Sequence, residues 1–215
     1  MRSIMPETQN QSSYRLVFFV FAFSLVYSVL RYHIFKGVGW EHLPLFIVNK
    51  VMALTGVLLI TLSVFARRKQ KETVKLAQKK VYSYSGYFFI SLHVLASLLL
   101  INKAYYEKFF SGNQMNLTGE LSMFFGIIAF CIYTVSVFRS WMGNENTSDR
   151  AIAKKDLIYR YTSHFLVMGH LLVMGLASWL IPAEWPGYML PISLLSFLFL
   201  LFILPVSLQK RQSVE

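Results

Sequence analysis

Residues Tyr82 to Asn102 read YSYSGYFFISLHVLASLLLIN, 21 positions with no charged side chain and one histidine, His93, near the middle. A bilayer core about 30 Å thick needs roughly 20 apolar residues in a helix. The stretch therefore predicts a transmembrane helix. Strands of a membrane barrel would alternate apolar and polar residues over about 10 positions, and this run does not.

Five runs of the same kind flank it. They are 14–35 (YRLVFFVFAFSLVYSVLRYHIF), 43–66 (LPLFIVNKVMALTGVLLITLSVFA), 117–138 (LTGELSMFFGIIAFCIYTVSVF), 158–181 (IYRYTSHFLVMGHLLVMGLASWLI) and 188–208 (YMLPISLLSFLFLLFILPVSL). With 82–102 they predict an all-α polytopic membrane protein, six transmembrane helices in one bundle. Residues 1–13 and 209–215 read as polar tails, and GNENTS at 143–148 as a flexible loop. The first run is too long for a secretory signal and is followed by no small-x-small cleavage site, so it reads as a retained helix.

Composition agrees. Of 215 residues, 55% are hydrophobic and 14% charged, against roughly 25% charge in soluble domains. The formal net charge of +11 follows from topology. With six spans, the basic segments 67–80 and 139–160 share a side with both termini. That side holds 16 of the 21 lysines and arginines, leaving Arg31, Lys36, Lys50, Lys103 and Lys108 on the other. The positive-inside rule then predicts cytoplasmic termini. The basic face suits anionic membrane lipid rather than nucleic acid. A single cysteine, Cys131, rules out an internal disulfide and any multi-cysteine metal site; it reads as a small core residue. Phosphate-binding, nucleophile-elbow and H-E-x-x-H patterns are absent from the sequence.

Ionisable residues inside a span are functional candidates. His33 and His42 read as interfacial. His93 lies 11 residues past Tyr82, and His170 lies 12 past Ile158. At 1.5 Å per residue both imidazoles fall about 17 Å from the start of their spans, at one depth on two helices. Two such histidines can ligate one haem iron from opposite faces, a site closed to oxygen and suited to electron transfer. His93 and His170 are therefore the expected metal ligands of one haem b. The alternative is that both are helix–helix hydrogen-bonding groups.

His164 precedes His170 by six residues, a net rotation of about 240°, so the two cannot share an iron. It can serve a second haem, a flavin or a quinone, or bond a neighbouring helix. No histidine on the third span stands one porphyrin length from His93, so one haem is expected. Lys50 can meet a haem propionate or Glu120, the only acid inside a span, or snorkel to the interface. Gly86, two turns before His93, can let a flat ring approach the backbone; Gly56, Gly126, Gly169 and Gly175 offer the same, or ordinary helix packing. Arg160 reads as a positive-inside anchor.

Three segments together resemble the ferric reductase-like transmembrane domain family, in particular its small haem-binding subunits that serve periplasmic methionine sulfoxide reductases. They are LLITLSVFARR (58–68), the pair Lys79–Lys80 followed by FISLHVLASLLL with His93, and VFRSW (137–141) followed by RYTSHFLVMGHLLVMG (160–175). The resemblance implies a b-type cytochrome of the bacterial inner membrane. It would take electrons from quinol or a flavin reductase and pass them to ferric iron or a periplasmic reductase. The chain departs from the family on the fifth helix. A family-like second histidine would fall near Ala177 or Ser178 if His164 is the first, and a first near Leu157 if His170 is the second. The non-redox alternative is a small transporter or assembly subunit.

Overall fold

The computed structural model describes residues 7–66, 72–142 and 150–208, the side chains at several helix ends excepted. Among the described residues there are six long helices: α1 (Glu7–Val29), α2 (Val48–Phe65), α3 (Glu72–Leu100), α4 (Leu117–Met142), α5 (Arg150–Trp179) and α6 (Ile192–Leu208). All six are long and apolar enough to cross a membrane. The expected all-α polytopic fold is the one observed. Residues 1–6, 67–71, 143–149 and 209–215 lie outside the described residues, and with them much of the basic segments and the GNENTS loop.

Side-chain contacts show that successive helices run antiparallel. Asn49 at the start of α2 bonds Ser97 near the end of α3. Ser122 early in α4 meets His170 in the second half of α5. Trp179 closing α5 bonds Ser193 opening α6. The end of the bundle holding the connections after α1, α3 and α5 is called the distal end below.

α2 is the central helix, packed against α1, α3 and α6, while α5 packs on α4 and α6. Its most apolar stretch is 56% buried, against 11% for α3 and for α4. Its polar residues Asn49, Thr55, Thr61 and Ser63 are buried with its aliphatic ones. The peripheral helices turn large apolar side chains outward, among them Phe18, Phe19, Leu99, Phe124, Leu180 and Phe202. A hydrocarbon surround makes that exposure favourable rather than costly. Cys131, expected in the core, is on this outward surface.

Several boundaries differ from the sequence reading. The polar residues from Glu7 to Ser13 belong to α1, where they add turns before the apolar stretch. α1 continues as a π-helical turn, Leu30–Phe35, and α2 is entered through a 3-10 turn, Trp40–His42, and a π-helical turn, Leu43–Ile47. α6 starts at Ile192 rather than at 188. Pro191 fits just before a helix because it has no amide hydrogen to leave unbonded, and Pro186–Tyr188 forms a separate 3-10 turn. Gly187 in that turn has φ +58°, and a Cβ there would run into the Phe35 ring. Between α3 and α4 a two-residue hairpin pairs Phe110–Ser111 with Gln114–Met115. Asn116 then caps α4, its Oδ1 accepting the Gly119 amide at 3.0 Å.

Candidate functional site

The two mid-span histidines are held in the same way. His93 Nδ1 lies 2.7 Å from Asn49 Oδ1 on α2. The Asn49 amide nitrogen donates in turn to Ser97 Oγ at 3.0 Å, which orients the amide with its oxygen toward the ring. His170 Nδ1 lies 2.7 Å from the Ser122 carbonyl on α4, with Ser122 Oγ at 3.2 Å. A carbonyl oxygen only accepts, so Nδ1 carries the proton in both rings. A neutral imidazole protonated at Nδ1 keeps its lone pair on Nε2. No hydrogen bond reaches Nε2 of either ring among the described residues. This is the arrangement that orients a metal-ligating histidine: one nitrogen fixed by an outer partner, the other left for the metal.

His170 and Lys50 are within electrostatic reach of His93, and Lys50 and Lys108 are within reach of His170. His93 stands seven residues before the end of α3 and His170 nine before the end of α5, about 10 and 14 Å from the distal ends of their helices. Yet α3 and α5 do not pack closely on each other. A Cβ at Gly126 would lie 3.0 Å from His170 Nδ1. The absent side chain is what lets the imidazole rest on α4.

Gly86 has a different place. A Cβ there would be 2.9 Å from Ile60 Cγ1 and 3.2 Å from the Gly56 carbonyl oxygen. Gly86 and Gly56 make the close α2–α3 crossing, and helix packing accounts for both. His164 is half-buried, six residues further from the distal end, and is not among the groups acting on His93 or His170.

Lys50 is not paired with Glu120. Its Nζ donates to Tyr106 Oη at 3.1 Å and lies 4.9 Å and 4.6 Å from the centres of the Phe46 and Tyr106 rings. Tyr106 Oη also lies 3.4 Å from Asn49 Nδ2. One polar network thus runs from His93 through Asn49 to Tyr106 and Lys50. Lys108, from the same connection as Tyr106, donates to the Met174 carbonyl of α5 at 2.5 Å. Burial pushes its ammonium down to about 8 from 10.5, with Lys50 and Lys36 adding to the effect. The one ion pair among the described residues is His42–Glu41. His33 is buried at the distal end of α1, stacked on Trp40 with ring centres 4.2 Å apart, and is bonded through Nδ1 to the Val38 carbonyl at 2.7 Å.

Of the residues that sequence reading selected, His93 and Lys50 share one polar network through Asn49 and Tyr106, and His170 is held separately by Ser122. Sequence reading missed Asn49, Ser122, Tyr106 and Lys108. Asn49 beside Lys50 in an otherwise apolar run was a legible signal; a backbone carbonyl at Ser122 leaves no sequence signal at all. No group of three or more histidine, cysteine or acidic side chains gathers as a metal cluster among the described residues. That does not bear on a two-histidine haem. No protein-family model matches the chain, and no curated protein matches it.

Proposed function

We propose that the chain is a b-type cytochrome-like membrane protein that carries electrons through one haem held by Nε2 of His93 and Nε2 of His170. The observation behind it is the matched pair of Nδ1 anchors, to Asn49 Oδ1 and to the Ser122 carbonyl, which leave both Nε2 lone pairs unengaged. The residues present fit the group. Two neutral imidazoles would supply nitrogen donors to the iron, and Gly126 gives one ring its seat.

When bound, the haem would supply a one-electron Fe(III)/Fe(II) couple. The protein's part is to fix two ligands, exclude a third and surround the ring with apolar side chains that set its potential. Asn49 and the Ser122 carbonyl hold ring tautomer and tilt, which raises the basicity of the coordinating nitrogens. Neither ring needs to gain or lose a proton as the electron passes.

The likeness of 58–68, 79–100 and 137–175 to the ferric reductase-like family supports the same reading. It adds the proposed donor, a quinol or flavin reductase on the cytoplasmic side of a bacterial inner membrane, and the proposed acceptor, ferric iron or a periplasmic reductase. Cytoplasmic termini are part of the proposal, supported by the basic asymmetry of the sequence.

A second reading has an observation of its own. Each anchor joins two helices, His93 to α2 and His170 to α4, so both histidines already serve as packing contacts. A non-redox bundle needs nothing more. Absorption spectra of the detergent-purified chain, oxidised and dithionite-reduced, separate the two. A reducible low-spin b-type spectrum, lost in His93→Ala and in His170→Ala, supports the cytochrome. A colourless protein after expression with ample haem overturns it in favour of the packing reading.

A further inference from the structure

α3 and α4 follow each other in the chain but leave a groove of about 320 Å³, lined by Tyr84 and Tyr87 of α3 and Val137, Phe138 and Trp141 of α4. Beside it two hydroxyl pairs tie the helices together. Tyr87 Oη donates to Thr134 Oγ1 at 3.2 Å, and Ser83 Oγ lies 3.3 Å from Tyr133 Oη. Protein does not fill the groove: Phe138 is 48% and Trp141 72% exposed. Its depth follows from helical rise. Trp141 stands in the last turn of α4, where tryptophan meets lipid head groups. Tyr87 stands nine residues inside the span that starts at Gln78, about 14 Å deep. The groove thus runs from head-group level into the hydrocarbon, the course of the upper part of an acyl chain.

The groove opens at the end of the bundle opposite the distal one, and that end is basic. The segments belonging to it carry 16 of the 21 lysines and arginines but six of the ten acidic residues, a net charge of +10. The acidic side chains that the structure describes, Glu41, Glu107, Glu120 and Glu184, all lie at the distal end. Lys80 is half-buried one turn before Tyr84. Positions 80, 84 and 87 share one side of a helix, so Lys80 stands at the mouth of the groove. Arg139, between Phe138 and Trp141, lies over the Tyr159 ring at 5.3 Å and holds a second positive charge near that level.

We propose that the groove binds one anionic phospholipid of the membrane, an acyl chain lying against Tyr84, Tyr87, Val137 and Phe138 and the phosphate at Lys80. The inference is independent of the haem reading. An aromatic lining within the span suits a hydrocarbon chain, and an opening at that depth admits only what the bilayer carries. Charge selects the head group. A lipid with net negative charge gains from the basic end, whereas a zwitterionic one of the same chain length gains little. The bound lipid would brace two helices that their own side chains leave partly apart.

Trp141 reports from inside the site. The full-length chain is reconstituted in phosphatidylcholine bilayers, and its fluorescence is quenched by phosphatidylglycerol or phosphatidylcholine carrying brominated chains. The difference between wild type and Trp141→Phe isolates the Trp141 signal. Phosphatidylglycerol is expected to be preferred there about fivefold. Lys80→Gln should abolish the preference and Lys80→Arg should keep it. Val137→Phe, which fills the groove, should abolish it as well. Equal quenching of wild type by the two lipids overturns the proposal and leaves an unselective lipid-facing surface. A preference that survives either Lys80→Gln or Val137→Phe also overturns it, because the selectivity then belongs to the basic face as a whole. Quenching by neither lipid overturns it in favour of a second copy of this chain covering the groove. Should Val137→Phe fail to fold, the Lys80 variants, changed at a helix end, decide the matter.

Discussion

Asn49 is where one buried side chain joins three polar groups. Its oxygen accepts the hydrogen bond from His93 Nδ1–H, and its nitrogen donates to Ser97 and Tyr106. Asn49→Leu keeps the volume but strands the His93 N–H and the Ser97 hydroxyl. The expected result is a loss of about 1–3 kcal/mol in stability, together with a 10–100-fold loss of haem affinity, read by thermal denaturation and by haem titration. Lys108 makes a pH prediction. Its ammonium is held at about 8, below the ordinary lysine value of 10.5. The unfolded chain therefore binds more protons than the folded one between those values, and stability rises with pH there. Below pH 8 the cost is fully present. The haem-free protein should melt at a higher temperature at pH 10 than at pH 7.5, by an amount that solvent screening of this exposed side chain keeps small. Lys108→Met should flatten the profile.

Two glycines make opposite predictions at the scale of helix pairs. Gly86 sits in the α2–α3 crossing, where an added Cβ would press on Ile60 and the Gly56 carbonyl. Gly86→Val should force these helices apart and destabilise the bundle by roughly 1–3 kcal/mol. The spectrum of whatever protein remains folded should be unaltered. Gly126 sits in α4 under the His170 ring, at a distance of 3.0 Å from Nδ1 to an added Cβ. Gly126→Val should move the ring, and the low-spin spectrum should weaken or shift while the melting temperature changes less. A Gly126→Val protein with full wild-type haem content and spectrum would detach His170 from the iron. The elements themselves follow simple rules. α4 begins where Asn116 caps it, and α6 begins after Pro191.

For the whole molecule the open quantity is direction across the membrane. The distal end carries Lys36, Lys103 and Lys108, and the opposite end the greater share of basic residues. Cysteine labelling in intact cells, on a Cys131→Ala background, reads it directly. A cysteine at Gly112, in the distal hairpin turn, should react with a membrane-impermeant maleimide. One at Ser213, near the C-terminus, should react only after permeabilisation. The reverse pattern would place the distal end in the cytoplasm.

Six long apolar runs were enough to establish the helices, their number and their antiparallel succession, because hydrocarbon tolerates only backbones that satisfy their own hydrogen bonds. The depth of His93 and His170 was equally legible, since helical rise converts position into height. Rotation about each helix axis was not. In a membrane, apolar side chains face the protein core and the lipid alike, so hydrophobic pattern does not say which face is which. Hence Cys131 lies outward where a core position was expected, and Gly86 meets Gly56 and Ile60 at the α2–α3 crossing. Only the tertiary structure placed the Ser122 carbonyl and Gly126 under His170, Tyr106 beside Lys50, and Lys108 against the Met174 carbonyl. Those placements depend on how α4 and the 101–116 connection fold against α2 and α5. They are set by packing between segments far apart in the chain, which no local pattern encodes.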